Sequence, residues 1–331
     1  MMPSYEEGLA AYLAEAADMV NASGKPAYAV ATLQAWCTAI AYHYSIAGLP
    51  NPARSVVVSD TLADIRAKRL RAGIEANKAG PLLTPMVAHI VESIDEHAHG
   101  WRARIAARRD IALILVQYAA GLRRGELVGL SIADVTRPPD SADRCLRIRV
   151  RGRASGDIEV VRLGKGAEPR MCPCCALLRW LAVLAAFDRA ISVGAGDPAA
   201  AGQLAVQRVL RRNTADELHI CERDWPNVRR AGSPLFRPLD RDGLPYGQAL
   251  TSRSVPNILK RRAAQAGFEP EVVDRMRGSS ARAGAMVQAM ANGAEAYVVA
   301  RHMRLSDVSA VVGAGKRESG GRFSASDHLG L

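Results

Sequence analysis

Lysine is scarce in this chain: Lys25, Lys68, Lys78, Lys165, Lys260 and Lys316 are all it has in 331 residues, although 44 residues are basic. Long apolar runs are missing too. No stretch approaches the roughly 18 residues that a membrane-crossing helix requires, so no membrane partner is expected. Residues 1–24 carry Glu6, Glu7, Glu15 and Asp18 where a secretory leader would be basic and then apolar. The expectation is an intracellular, cytoplasmic protein. Six cysteines in so long a chain, three of them at Cys172, Cys174 and Cys175, do not make a disulfide framework. That leaves reduced thiols or a metal site. There is no internal repeat and no long low-complexity segment. No tyrosine follows Tyr297.

What is present is arginine. Against 33 acidic residues the chain has a net charge of +11 and a sequence pI of about 9.7, a balance that favours a phosphate-rich partner. Hydrophobic residues make up 49%, enough for a sizeable core, and the length favours two domains. The expected division is a helical N-terminal DNA-binding domain over 1–79 and a second domain over 80–331, with an insertion at about 191–232.

The most informative stretch runs from Tyr118 to Leu130. A buried helix through Ile111, Leu113, Ile114, Leu115 and Val116 ends at Gly121, and Arg123, Arg124 and Glu126 open a second helix that resumes at Leu127. An arginine at such a junction is well placed to hold an anion, although the same pattern also fits an ordinary helix corner. Before it, the apolar spacing predicts helices over Tyr5–Val20, Ala27–Ala47 and Thr61–Ala76. The third is expected to bury Leu62, Ile65, Leu70 and Ile74 and to turn Arg66, Lys68, Arg69 and Arg71 outward. Lys78–Pro85 reads as the linker, with Thr84 capping a helix over Met86–His97. After it, Leu146–Arg151 and Ile158–Leu163 read as a hairpin with Arg147, Arg149 and Arg151 on one face. Helices follow over Cys175–Phe187, Thr251–Gly267 (with Lys260, Arg261 and Arg262 outward), Ser279–Met290 and Glu295–Val312. The fold class is mainly α with a small β-hairpin or sheet.

Taken together, a helical N-terminal domain, the Gly121-Leu-Arg-x-Gly-Glu126 junction, the basic hairpin and Ala281-Arg282-Ala283-Gly284 resemble, in that order, the tyrosine recombinases, or phage integrase family. The likeness extends from Tyr5 to Val312 and includes Met171-Cys172-Pro173 and Ser233-Pro-Leu-Phe-Arg237. It implies that Arg123 and Arg282 grip a DNA phosphate, since a planar guanidinium matches phosphate oxygens in two places. Glu126 supports Arg123. Arg153, in the hairpin turn, and Arg301 are further phosphate-binding candidates, and His302 is a supporting one.

Other positions depart from the family pattern. The histidine of the His-x-x-Arg box is Ser279 here, the Gly-His pair falls on Arg304 and Leu305, and the nucleophilic tyrosine falls at about Ala314. Arg153 in place of a lysine is a poor acid because guanidinium stays protonated. The groups for covalent attack and proton transfer are the ones replaced. The resemblance therefore implies a protein that binds double-stranded DNA without cutting it, beside an active recombinase or self-associated on DNA. Two alternatives stand: an active recombinase with an unrecognised nucleophile, and a recombinase fold used for protein assembly. No cofactor is required by this reading. Cys172 and Cys175, with His219 and Cys221, form a candidate structural zinc set, and buried free thiols are the other reading.

Overall fold

The computed structural model describes residues 4–74, 79–138, 146–151, 157–192, 197–212, 218–228, 230–305, 307–308 and 311. The chain divides into two compact units, Met1–Lys78 and Ala79–Leu331.

The first unit contains α1 (Tyr5–Asp18), α2 (Val30–Ile46) and α3 (Val56–Arg71). A reciprocal cap starts α1, with the Ser4 N–H donating to Glu7 Oε2 at 2.9 Å and the Glu7 N–H to Ser4 Oγ at 3.3 Å. Leu9, Leu13, Leu33, Cys37, Val58 and Ile65 make its core. The start of α3 lies five residues before the expected Thr61, because Ser55 Oγ accepts the Val58 N–H at 3.3 Å. Two expectations for its faces are corrected. Leu70 is 79% exposed and Ile74 lies past the helix end, 42% exposed. Arg69, placed outward by periodicity, is buried: its guanidinium donates to Tyr28 O at 2.7 Å and Ala17 O at 3.1 Å, tying α3 to the end of α1 and to the approach to α2.

The second unit is organised on α5 (Gly100–Ala119), which packs against α4 (Thr84–Glu96), α7 (Pro173–Ser192) and α11 (Ser280–Ala291). Thr84 does not cap α4 with its side chain; it begins the helix, and its hydroxyl meets Tyr118 Oη at 2.8 Å. The segment read as linker is packed at its far end: Leu82 is wholly buried, and its N–H donates to Ser280 O at 3.0 Å. Gly284 makes this approach possible, since a Cβ there would lie 1.9 Å from Leu82 O.

Two buried carboxylates lock the core. Asp188 takes both guanidinium nitrogens of Arg237, at 2.7 and 2.8 Å. Asp110, on α5, is fully buried and binds Arg109, Arg261 and Arg262. Arg262, expected outward on α9 (Ser254–Gln265), is consequently only 12% exposed. The stretch read as an insertion contains α8 (Pro198–Arg212), which lies against α7.

Among the described residues the sheet is three-stranded and antiparallel, in the order β1 (Val135–Thr136), β2 (Leu146–Arg151), β3 (Ile158–Leu163). The hairpin has the expected spans, with Leu146 opposite Leu163 and Arg151 opposite Ile158. Leu146, Ile148 and Val150 face the core while Arg147, Arg149 and Arg151 face out, as the period of two dictates. Strand β1 was not expected. After α6 (Arg124–Val128), α10 (Pro270–Arg275) and α11 comes α12 (Ala296–His302), which stops ten residues short of the expected Val312. It stops because Arg304 turns left-handed, at φ 51°. No helix among the described residues is long and apolar enough to cross a membrane.

Candidate nucleic-acid interface

The junction at Gly121 is built by a backbone that only glycine fits comfortably. Its φ is +56°, and a Cβ would lie 2.3 Å from Met303 Sδ. The chain then turns so that Arg123 caps α6, with Glu126 three residues on. The Glu126 carboxylate accepts the Arg123 N–H at 2.7 Å and Arg123 Nη1 at 2.5 Å. It also accepts Arg304 Nη2 at 2.8 Å.

Arg282 reaches the same point from α11, donating to the carbonyls of Gly121 and Met303. Arg304 donates to Gly121 O at 3.0 Å and Ala120 O at 3.2 Å, and its Nε lies 3.5 Å from Glu159 on β3. Three guanidinium groups therefore converge at this junction, two of them, Arg123 and Arg304, on the one carboxylate. Their exposures differ: the Arg123 side chain is 35% exposed, whereas Arg282 and the Arg304 side chain are each 8% exposed. Burial, then the charges of Arg123 and Arg304, push the Arg282 guanidinium down to about 10. Burial raises the Glu126 carboxyl, but hydrogen bonds from Arg123 and the charge of Arg304 outweigh it and hold the group below its ordinary value.

Beside this cluster lies a groove of about 820 Å³, lined by Arg123, Arg124, Arg149, Arg151, Arg277 and Ser279 among others. Glu126 and Asp134 also line it. Its wall is held from behind: buried Gln117 donates to Gly278 O at 2.8 Å, and a Cβ on Gly278 would meet Arg124 Cδ at 2.8 Å. Arg149 is aimed by Ala133 O at 2.7 Å.

The structure thus brings together Arg123, Arg282 and Glu126, with Ser279 on the groove. Arg301 is exposed on α12 and has no described contact with them. His302 Nε2 donates to Ala119 O at 2.8 Å, anchoring α12 to the end of α5. Leu305 packs in a separate small apolar cluster with Ala285, Val299 and Met303. Arg153 and Ala314 lie outside the described residues. Arg304 was passed over as a family glycine replaced. Nothing in the local sequence marks it: its left-handed backbone, at φ 51°, is held by ties to Ala120, Gly121 and Glu126. Tyr297 is 62% exposed on α12, with no described contact to the cluster.

The candidate metal-binding residues also converge. The ligand atoms of Cys172, Cys175, His219 and Cys221 all lie within 4.8 Å of one another, although 44 residues separate Cys175 from His219.

No family model matches the chain. In sequence it is similar to an integrase/recombinase xerD homolog of Selenomonas ruminantium, 22% identical over 306 residues that cover 92% of this chain and 71% of the other. Among solved structures it is similar to the XerH site-specific recombinase bound to a palindromic difH substrate. That pair has a TM-score of 0.49 and 15% identity, over 98% of this chain and 72% of that one. It is also similar to the Tn1549 transposon integrase in complex with circular-intermediate DNA, with a TM-score of 0.49 and 12% identity over 98% and 87%.

Proposed function

We propose that this chain is a relative of the tyrosine recombinases, as its likeness to the xerD homolog suggests, and that it binds double-stranded DNA and does not cut it. The observation that carries the proposal is the convergence of Arg123, Arg282 and Arg304 at one junction beside an arginine-lined groove, while the positions for proton transfer and attack hold Ser279, Leu305 and Ala314. In this reading a backbone phosphate sits against Arg123, the most exposed of the three. Arg282 and Arg304 stand behind it and contribute charge through a short, poorly screened path. Arg149 and Arg151 on the hairpin and Arg277, which also lines the groove, hold the neighbouring phosphates.

Chemistry fails at the next step. A phosphoryl transfer needs a nucleophile and a route for protons. Guanidinium supplies charge and geometry, and it does not give up a proton at neutral pH. Tyr297 has no described tie to the cluster. The protein acts in recombination as an accessory, next to an active recombinase or self-associated on the same DNA.

Two measurements test this. Fluorescence anisotropy with duplex DNA at several salt concentrations is expected to give an affinity that falls steeply with salt; salt-independent binding, or none, would sink the DNA reading and favour a role in protein assembly. A nicked suicide substrate is expected to give no covalent protein–DNA adduct. An adduct would mean an active enzyme, and mapping the attached residue would name the nucleophile.

A further inference from the structure

The cysteine centre was not used by the DNA reading and does not depend on it. Its four side chains come from two places: Cys172 and Cys175 at the start of α7, and His219 and Cys221 on the segment after α8. Cys172 Sγ lies 4.0 Å from Cys221 Sγ. His219 Nδ1 lies 3.5 Å from Cys175 Sγ and 3.8 Å from Cys221 Sγ. A tetrahedral zinc ion with ordinary bond lengths separates its ligands by ~3.8 Å for sulfur–sulfur and ~3.6 Å for sulfur–nitrogen. These three edges are close to those of such a tetrahedron, and all four ligand atoms lie within 4.8 Å of one another.

The surroundings are those of ligands rather than of packing thiols. The Gly166 and Cys175 N–H groups point at Cys172 Sγ, at 3.3 and 3.5 Å, as backbone donors do toward a thiolate. Gly166 comes this close because it lacks a side chain; a Cβ would lie 2.8 Å from Cys172 Cα. His219 Nε2 donates to Ala167 O at 3.2 Å, which leaves the Nδ1 lone pair turned to the sulfurs. Cys174 makes the contrast. Equally buried and in the same run, it donates to Leu163 O and Gly164 O at 3.3 and 3.4 Å and stays out of the set. Buried cysteines serving only as small apolar residues would not need an imidazole nitrogen among them.

We propose that Cys172, Cys175, His219 and Cys221 bind one structural zinc ion. With four protein ligands the site is closed, so the ion has no open position for substrate. Its work is to staple the segment around residues 219–223 to the start of α7. That segment in turn holds the sheet: Arg137, just past β1, donates to Cys221 O at 2.7 Å and Arg223 O at 2.6 Å. The ion therefore steadies the edge of the sheet whose exposed face carries Arg149 and Arg151.

The test uses the full chain, purified reduced and without chelators or a metal-affinity step. Elemental analysis is expected to give about one equivalent of zinc. Cobalt(II) added to metal-stripped protein is expected to give the intense visible absorption of a tetrahedral, thiolate-ligated ion. Cys221→Ser and His219→Ala are expected to lose most of the zinc, and Cys37→Ser, in the first unit, to keep it. If the ligand variants do not fold, the cobalt spectrum of the parent protein decides. Less than about a tenth of an equivalent of zinc, with no such cobalt spectrum in reduced protein, would overturn the site. So would a Cys172–Cys221 disulfide in freshly purified protein.

Discussion

Replacing Arg123 by alanine should separate binding from folding. The side chain is 35% exposed, and its carboxylate partner Glu126 keeps Arg304 at 2.8 Å after the change. The lost ion pair is therefore worth at most about 1 kcal/mol, as for other partly exposed pairs. Against that loss, removing one of three clustered cations relieves the repulsion that burdens Arg282. The expected change in unfolding free energy is within about 1 kcal/mol of zero. Binding should respond differently. Removing one phosphate contact lowers the slope of log affinity against log salt by about 0.9, whatever the DNA sequence. The assay is duplex-DNA anisotropy over a salt series, paired with urea unfolding of the same sample. A normal slope with normal affinity would refute the placement of a phosphate at Arg123. A loss of several kcal/mol in stability would refute the division between an exposed binding arginine and two buried ones.

Other expectations follow from the same geometry. Arg282→Ala removes a donor from the Met303 carbonyl and should destabilise the fold by about 1–3 kcal/mol in urea unfolding, besides weakening DNA binding. Gly284→Ala forces a methyl group against Leu82 O and should cost about 3 kcal/mol or leave the protein insoluble; wild-type stability would mean that the segment does not pass there. Asp188→Ala strands the buried Arg237 charge and should cost about 3–5 kcal/mol, whereas joint replacement of both by apolar residues should recover most of it. For pH, the Glu126 carboxyl is held below its ordinary value, so its stabilising contribution is present above the unfolded pKa and is lost as pH falls through the folded one. Glu126→Gln should thus flatten the acid limb of a stability–pH curve, and an unchanged limb would remove Glu126 from the cluster's charge balance.

Much of this was legible in the sequence where the signal is local. The hairpin was readable to the residue because alternation with a period of two fixes both span and face. The Cys-x-x-Cys spacing marked half of the cysteine centre. The failures share a cause, which is that periodicity names a face and not a partner. Arg69 and Arg262 lie among basic residues and read as solvated, yet each is held by groups far away in sequence: the carbonyls of Ala17 and Tyr28 for one, Asp110 for the other. Leu70 and Ile74 were misplaced because Leu70, five residues on from buried Ile65, is turned about 140° from the core face, and because α3 ends at Arg71, before Ile74. Arg304 was hidden for the reverse reason. The family resemblance put a glycine at this position, and nothing local said that the arginine there would fold back onto the junction.

The bond from Arg282 to the carbonyls of Gly121 and Met303 bears on how such a sequence ages. An arginine used only on substrate becomes free to drift once the reaction is abandoned. One that also fastens a helix end to a loop is needed for folding whether or not any reaction takes place. On the non-cutting reading Arg282 would have two duties, and the one that fastens a helix to a loop needs no chemistry at all.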